Sequence, residues 1–461
     1  MASAAKRLPP GPRPLFATSN ILAMRRDRCA FLSKLAQYGD LVYFKLGPQL
    51  VFLLNHPDYI RDVLVTHNKN FMKGDGLQRA KRLLGEGLLT SEGEFHLRQR
   101  RLMQPFFHRE RVAAYGATMV EFADRLSGEW RDGEVRDVAH EMTRLTLTIA
   151  GKTLFDLDVE SHAADVGRAL TDIIESFWTA MLPFIDVLER MPIPQLRRAK
   201  KAREKLDAII YRMIAERRAE GDAMANRGDL LSMLLLAQDE EDEHRGMTDE
   251  QVRDEAMTIF LAGHETTANA LTWTWYLISQ SPAVEKRLHA EVDRVLGGRP
   301  PTVADIGSLG YVERVVTEAM RLYPPAWVIG RRALVDYPIG EFIAPARAIF
   351  VTSPYVIQRD PRFYAEPDRF NPDRWTPEFR AALPRFAYYP FGGGPRQCIG
   401  ESFAWMELVL VVATIAQRWS LALVPGHRVV PQPVITLRTK FGMKMTLQDR
   451  RNGHAAHSTN S

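Results

Sequence analysis

The sequence predicts a mainly α-helical protein with a small β-rich portion. Three observations carry that reading. Helical patterns dominate from about Phe95 to Gln238. A capping-box pair, Thr248 with Gln251, opens a second helical stretch that runs to Ser281-Pro282, where proline stops it. Strand-like runs are few, the clearest being LVYFKLGPQLVFLL from Leu41 to Leu54, two β-rich runs around Gly47-Pro48 that read as a hairpin.

The elements follow in order. The start, MASAAKRLPPGPRPLF, is a proline-rich segment over residues 1–14 without an apolar run long enough for a signal peptide or a membrane span. RDRCAFLSKLAQYG is patterned as a helix and places Cys29 on one face. Glycines at 74, 76, 85 and 87 mark a loop-rich passage. The helical region beyond Phe95 breaks near Met191-Pro192-Ile193-Pro194, and the acidic run QDEEDEH, Gln238–His244, reads as a solvated surface turn. About thirty residues of the next helix, at 1.5 Å each, span roughly 45 Å, enough to cross a domain. YVERVVTEAMRLYPP is helical up to Pro324, and the chain is then proline-rich and irregular until Cys398. The apolar run Leu408–Ala416 is too short to span a membrane, and the polar tail, residues 450–461, is expected to be disordered.

Composition narrows the class. Hydrophobic residues at 46% and charged residues at 25% supply an ordinary globular core. Two cysteines, Cys29 and Cys398, make no disulfide framework, which points to the cytoplasm. A net charge of +5 is mild, and with no zinc spacing, phosphate loop or basic–aromatic repeat, nucleic acid is not implied. There is no internal repeat.

The most informative stretch is FGGGPRQCIGESFAWME, Phe391 to Glu407. Gly392, Gly393 and Gly394 let the backbone bend and come close to a bulky flat group, Pro395 stiffens the last turn, and a helical pattern starts directly after Cys398. Free N–H groups at a helix start favour a thiolate over a thiol. The run resembles the haem-binding loop of the cytochrome P450 family, the haem-thiolate monooxygenases. The matching residues are Phe391, Gly392, Gly394, Arg396 and Cys398, followed by Gly400 and Ala404. The resemblance extends from LPPGP to the C-terminal β-rich stretch. It implies a single cytochrome P450 domain over 1–461, a triangular helical prism around a buried haem b (iron protoporphyrin IX), and Cys398 as axial ligand to the iron.

Other motifs agree. The long helix carries AGHETT, Ala262–Thr267. Gly263 costs roughly 1 kcal/mol against alanine mid-helix, so it needs a reason, and close approach of a flat ligand is one. Threonine hydroxyls there can bond the carbonyl three or four residues back. The resemblance implies that Ala262 lies against the haem, that Glu265 delivers protons from solvent, and that Thr266 hydrogen-bonds the bound dioxygen. Glu318 and Arg321 lie three apart on one helix face. In the family such a pair is joined by an arginine before the cysteine loop, here Arg374 in FNPDRW. The resemblance also assigns His96, Arg100, Arg331 and Arg396 to the haem propionates, with Arg332 as the rival of Arg331.

The implied activity is oxidation of a lipophilic small molecule, terpenoid or fatty-acid-like, by hydroxylation or epoxidation with O2. The expected pocket residues are mostly apolar: Phe177, Trp178, Met181, Leu182, Phe184, Ile259, Phe260, Trp327, Val328, Ile329, Ile435 and Leu437. No fused flavin or iron–sulfur segment is legible, so electrons would come from a separate ferredoxin, or a flavodoxin, and its reductase. Arg98, Arg100, Arg101, Arg109 and Arg111 against Glu110 alone would steer an acidic partner. A soluble, cytoplasmic monomer is expected. Two other readings are a peroxide-driven or isomerising relative, which usually lacks the acid–threonine pair, and a haem-thiolate sensor or carrier.

Overall fold

The computed structural model describes residues 8–12, 19–156, 193–239 and 245–451, with the single positions 169, 172, 173 and 241. It is mainly helical with small sheets, the class the sequence predicts. The chain divides into two compact units. One comprises residues up to 78 with 321–369 and 374–398; the other comprises 79–320, 370–373 and the chain from 399 on.

The first unit is built on a five-stranded sheet. The run Leu41–Leu54 forms the expected hairpin, Leu41–Leu46 against Gln49–Leu54, turning at Gly47 with φ +60°. Ile349–Thr352 adds in parallel to the second strand, followed by Ile329–Ala333 and Phe71–Lys73. Aromatic rings fill the space beneath: Phe52 stacks on Phe350 at 5.2 Å, and Phe71 meets Phe350 edge-on at 5.1 Å. The stretch after Pro324 is therefore not irregular throughout. Prolines and glycines punctuate it, but two of its short runs are sheet strands whose partners are remote in sequence. The glycine-marked passage is likewise not all loop, because Asp75–Leu84 is a helix with Ala80 and Leu84 buried four apart on one face.

The second unit is organised by the helix Asp249–Ser279, 31 residues long. Thr248 and Gln251 form the full reciprocal capping box, and the helix ends ahead of Pro282. It packs along Val138–Phe155, with Phe260 stacked on Phe155 at 4.5 Å, and against Glu401–Arg418, whose apolar run is buried on almost every side. Trp419–Leu423, Lys444–Asp449 and Val135–Asp137 make a three-stranded sheet. Pro431–Pro433 and Leu437–Thr439 make a two-stranded hairpin.

Two expectations change here, and a third falls outside the described residues. Gln238–Asp239 pairs with Arg245–Gly246, and Asp239 is buried, taking Arg101 in a two-pronged contact at 2.9 and 2.7 Å and Arg98 at 3.3 Å. The acidic run is thus anchored at its first acid and is not wholly a solvated turn. The tail is not disordered from its first residue: Arg450 binds Asp293 and the carbonyls of Ala416 and Gln417; residues 452–461 lie outside the described residues. The break at Met191-Pro192 also lies outside them, and a helix begins at Pro194.

Candidate active site

The long helix marks a site by its accessibility. From Val252 to Trp275 every side chain is buried except Ala262, Gly263 and Thr266. Ala262 and Thr266 are one turn apart and share a face. Thr266 Oγ1 donates to the Ala262 carbonyl at 2.7 Å and Thr267 Oγ1 to Gly263 at 3.2 Å, the back-bonding expected of threonines here. A Cβ on Gly263 would meet only Leu154 and Ala150 at ordinary contact distance, so packing within the chain does not demand glycine.

Glu265 lies about 100° around the helix from Thr266 and is buried. Its Oε1 accepts from Thr436 Oγ1 at 2.8 Å; Asn269 Nδ2 donates to Thr436 Oγ1 at 3.1 Å and to the Glu265 carbonyl at 2.9 Å. Burial raises the Glu265 carboxyl above the ordinary range, an effect reduced by the Thr436 hydrogen bond and by Arg438 nearby. Sequence reasoning found Glu265 but missed Thr436 and Asn269. Asn269, one turn on, carried a helical-spacing signal; Thr436, 171 residues away, carried none.

A second buried acid faces this helix from a neighbouring one. Glu407, from Glu401–Arg418, is 1% exposed and lies beside Thr267. Thr267 gives its proton to Gly263, so neither Glu407 oxygen receives a hydrogen bond of good geometry. Burial raises its carboxyl well above the usual value. The folded state therefore holds a proton that the unfolded chain releases above the ordinary carboxyl pKa, and stability falls as pH rises through that window. Glu407→Gln, neutral throughout, is expected to gain on the wild type by about 1.4 kcal/mol per pH unit there. Urea titrations at several pH values would check this, and a difference that does not change with pH would contradict it.

The segment around Gly87 is tied to the first turns of the same helix. Glu86 N donates to Asp254 Oδ2 at 2.6 Å and Leu88 N to Glu255 Oε2 at 2.9 Å. Gly85, at φ +72°, has room for no Cβ, since one would fall 2.0 Å from the Asp254 carboxylate, and a Cβ on Gly87 would fall 2.3 Å from Thr258 Oγ1. Arg253, itself buried, ion-pairs with Asp254 at 2.7 Å and with Asp207 of Pro194–Ala219. On Gly93–Met103, His96 is buried with Nδ1 3.2 Å from Ser91 Oγ, and Arg100, one turn on, is half-buried.

The cysteine loop belongs to the first unit. Gly392 and Gly394 take φ +73° and +71°, and a Cβ on Gly394 would lie 2.0 Å from the Leu64 carbonyl oxygen, so glycine is required there. Gly393 lies against the Phe386 ring. Cys398 N donates to the Phe391 carbonyl at 3.0 Å, closing the loop, and the Cys398 thiol is exposed. Phe391 and Arg396 are half-buried. Arg332 ion-pairs with Asp75, and Arg331 donates to the Gly330 carbonyl at 3.0 Å. Cys29, by contrast, is buried, and burial with Asp27 beside it pushes its thiol up to about 12.

The loop is braced by arginines. Arg321, fully buried, donates to the carbonyls of Gln358 at 2.7 Å, Pro367 at 2.6 Å and Arg369 at 3.2 Å. Arg374 donates to Ala365 at 2.7 Å and to Glu366 and Arg369 at 3.3 Å. Glu318, in the second unit and also fully buried, accepts from Asn371 N at 3.0 Å.

Each unit by itself carries residues of the kind haem takes: in the first, an accessible thiol on a glycine-rich loop with Arg331 and Arg396 on the same unit; in the second, a helix uncovered only at small residues, with His96 and Arg100 on a neighbouring element. Of the expected pocket residues, Trp327, Leu437, Ile259 and Phe260 are buried core, Val328, Ile329 and Ile435 are half-buried, and Phe177, Trp178, Met181, Leu182 and Phe184 lie outside the described residues. The arginine patch is smaller than expected, since Arg98 and Arg101 already hold Asp239, and Arg101 also holds Glu241 at 2.7 Å. Arg109 and Arg111 are exposed. Among the described residues no helix is long and apolar enough to cross a membrane.

Comparison with known proteins gives concordant results. The family model described as Cytochrome P450 matches residues 9–444. Cyclooctatin synthase of Streptomyces melanosporofaciens is 41% identical over 430 residues, 93% of this chain and 92% of that protein. Cyclooctat-9-en-7-ol 5-monooxygenase of the same organism is 38% identical, covering 90% of each. The crystal structure of the cytochrome P450DA heme domain superposes with a TM-score of 0.87 at 27% identity, over 96% of this chain and 98% of that one.

Proposed function

The chain belongs to the cytochrome P450 family and is a haem-dependent monooxygenase of lipophilic small molecules, and from that premise we propose a cyclic terpenoid as its substrate and a ferredoxin, with its reductase, as its electron donor. Substrate, O2 and a redox partner are requirements of the class. The observation that carries the substrate reading is the near full-length similarity to a monooxygenase named for cyclooctat-9-en-7-ol. The half-buried apolar side chains Val328, Ile329 and Ile435 suit such a molecule. Exposed Arg109 and Arg111 support an acidic partner such as a ferredoxin, a flavodoxin being the second choice. Two cysteines without a disulfide support a cytoplasmic protein.

The residue roles form part of the proposal. Haem, when bound, supplies the activation of oxygen. Cys398 would hold the haem iron through its thiolate, presented by a loop whose glycines would keep side chains off the porphyrin; Phe391 closes that loop, and Ala262 keeps the helix face small. His96, Arg100, Arg331 and Arg396 neutralise the propionates. Glu318, Arg321 and Arg374 hold the backbone that leads to the loop. Glu265 carries a proton on its carboxyl in a dry setting. Thr266, its own proton given to Ala262, keeps lone pairs with which to accept a hydrogen bond from water on the accessible face.

The test is turnover with cyclic terpenoid hydrocarbons and alcohols, a ferredoxin, its reductase, NAD(P)H and isotopically labelled O2. One labelled oxygen per product molecule is expected. Thr266→Ala is expected to keep haem but lower product per electron consumed by about tenfold or more, with hydrogen peroxide rising in its place. Turnover by peroxide alone, faster than the reduced partner supports, would overturn the reading, as would unaltered coupling in Thr266→Ala for the role of that residue.

A further inference from the structure

The Glu265 carboxyl does not point at bare helix. It is held from the hairpin Pro431–Pro433 and Leu437–Thr439, whose turn carries Thr436. Trp273 Nε1 donates to the Leu437 carbonyl at 2.8 Å and Asn269 Nδ2 reaches Thr436, so the hairpin is fastened to the helix at successive turns around the acid. Arg438 follows Thr436 by two residues, on the strand that leaves the turn, and its charge acts on the Glu265 carboxyl. Arg438 is half-buried, and its Nε lies in the interior without a hydrogen-bond acceptor among the described residues. Among the described residues around Glu265, Arg438 is the cation whose charge acts on it. Glu407, across Thr267, and His264, on the same helix, are both kept neutral by burial, and Val138–Phe155 presents the uncharged Thr146, bonded to the His264 carbonyl.

We propose that this hairpin is the side from which Glu265 is reprotonated, with Thr436 as the positioning residue that holds the carboxyl and Arg438 as the cation facing it. The inference rests on the reading of Glu265 as proton donor. A proton passes from solvent at the half-buried hairpin to the Glu265 carboxylate, the carboxyl releases it toward the accessible face of the helix, and the carboxylate returns to Thr436. No electrons move in this cycle. Thr436 suits the task because its hydroxyl donates to the carboxylate while accepting from Asn269, which fixes its direction. A hydroxyl donor favours the ionised acid, so its loss makes the acid hold its proton to higher pH.

The test follows the infrared carbonyl band of protonated Glu265 in the resting holoenzyme, identified by its disappearance in Glu265→Gln, across a pH titration. Thr436→Val is expected to move the midpoint up by about one pH unit, the equivalent of one hydrogen bond to a charged group, and to lower product per electron; Thr436→Ser is expected to restore both. If Thr436→Val does not fold, Arg438→Met is expected to move the midpoint in the same direction, through loss of the cation. An unmoved midpoint in these variants, or a serine variant that behaves like valine, overturns the hairpin's role. The two readings separate cleanly. Full coupling in Glu265→Gln removes the proton-donor reading itself, whereas impaired coupling in Glu265→Gln beside a wild-type midpoint in Thr436→Val removes only the hairpin.

Discussion

Arg321→Met is expected to abolish stable haem retention and to cost about 3–5 kcal/mol in folding stability. The guanidinium is fully buried and is the donor for three backbone carbonyls, those of Gln358, Pro367 and Arg369, while lying 4.9 Å over the Tyr364 ring. Methionine fills much of the volume but leaves those carbonyls without that donor in a place water does not reach. The damage propagates along hydrogen bonds of this backbone. Gln358 Nε2 donates to the Arg321 carbonyl at 3.0 Å, and Gln358 Oε1 accepts from Tyr389 N at 3.1 Å, two residues before Phe391. Tyr364 OH in turn holds the Ala387 carbonyl at 3.0 Å. The buried arginine is thus two hydrogen-bonded steps from the loop that carries the thiol. Lysine is not expected to rescue, because a single ammonium cannot match the planar fork. Haem-to-protein ratio and urea midpoint together check this, and a fully loaded variant with a wild-type midpoint would count against it.

Cys398→Ser is expected to do the opposite: little harm to the fold, complete loss of monooxygenase activity. The change is one atom on a loop already shaped by its glycines and backbone bonds, so the stability of the apoprotein should stay within about 0.5 kcal/mol. The closing bond of the loop uses the backbone N–H of residue 398, which serine retains. What serine cannot supply is a thiolate, and with it the electron density that favours O–O cleavage. Intact thermal unfolding alongside absent turnover is the expected pair. Retained turnover would refute the ligand role, and collapse of the fold would show the residue to be structural instead.

Local signals in the chain were readable and remote ones were not. Thr248 with Gln251 announced the long helix because a capping box is written within four residues, and Gly47 announced the first hairpin for the same reason. The glycines before Cys398 were legible because a left-handed backbone and a close approach leave few alternatives. The strands Ile329–Ala333 and Ile349–Thr352 were hidden, since their pairing with Phe71–Lys73 and Gln49–Leu54 depends on residues far away in the chain. Asp75–Leu84 was obscured by the glycines flanking it, which weigh more in a local reading than the apolar pair Ala80 and Leu84. Asp239 looked like one acid of a solvated run, and only the fold brings Arg98 and Arg101 to it. Thr436 is the plainest case, an ordinary threonine until the hairpin sets it against Glu265.

The chain has two thiols, and they differ in kind: Cys29 is buried and held protonated, Cys398 is exposed on the glycine loop. The most direct measurement is therefore the reduced carbonyl difference spectrum of purified Cys29→Ser, in which Cys398 is the one sulfur able to reach iron as a thiolate. The strongly red-shifted Soret band of a thiolate-ligated haem is the predicted result; an unshifted band, as given by a nitrogen or oxygen ligand, would contradict it.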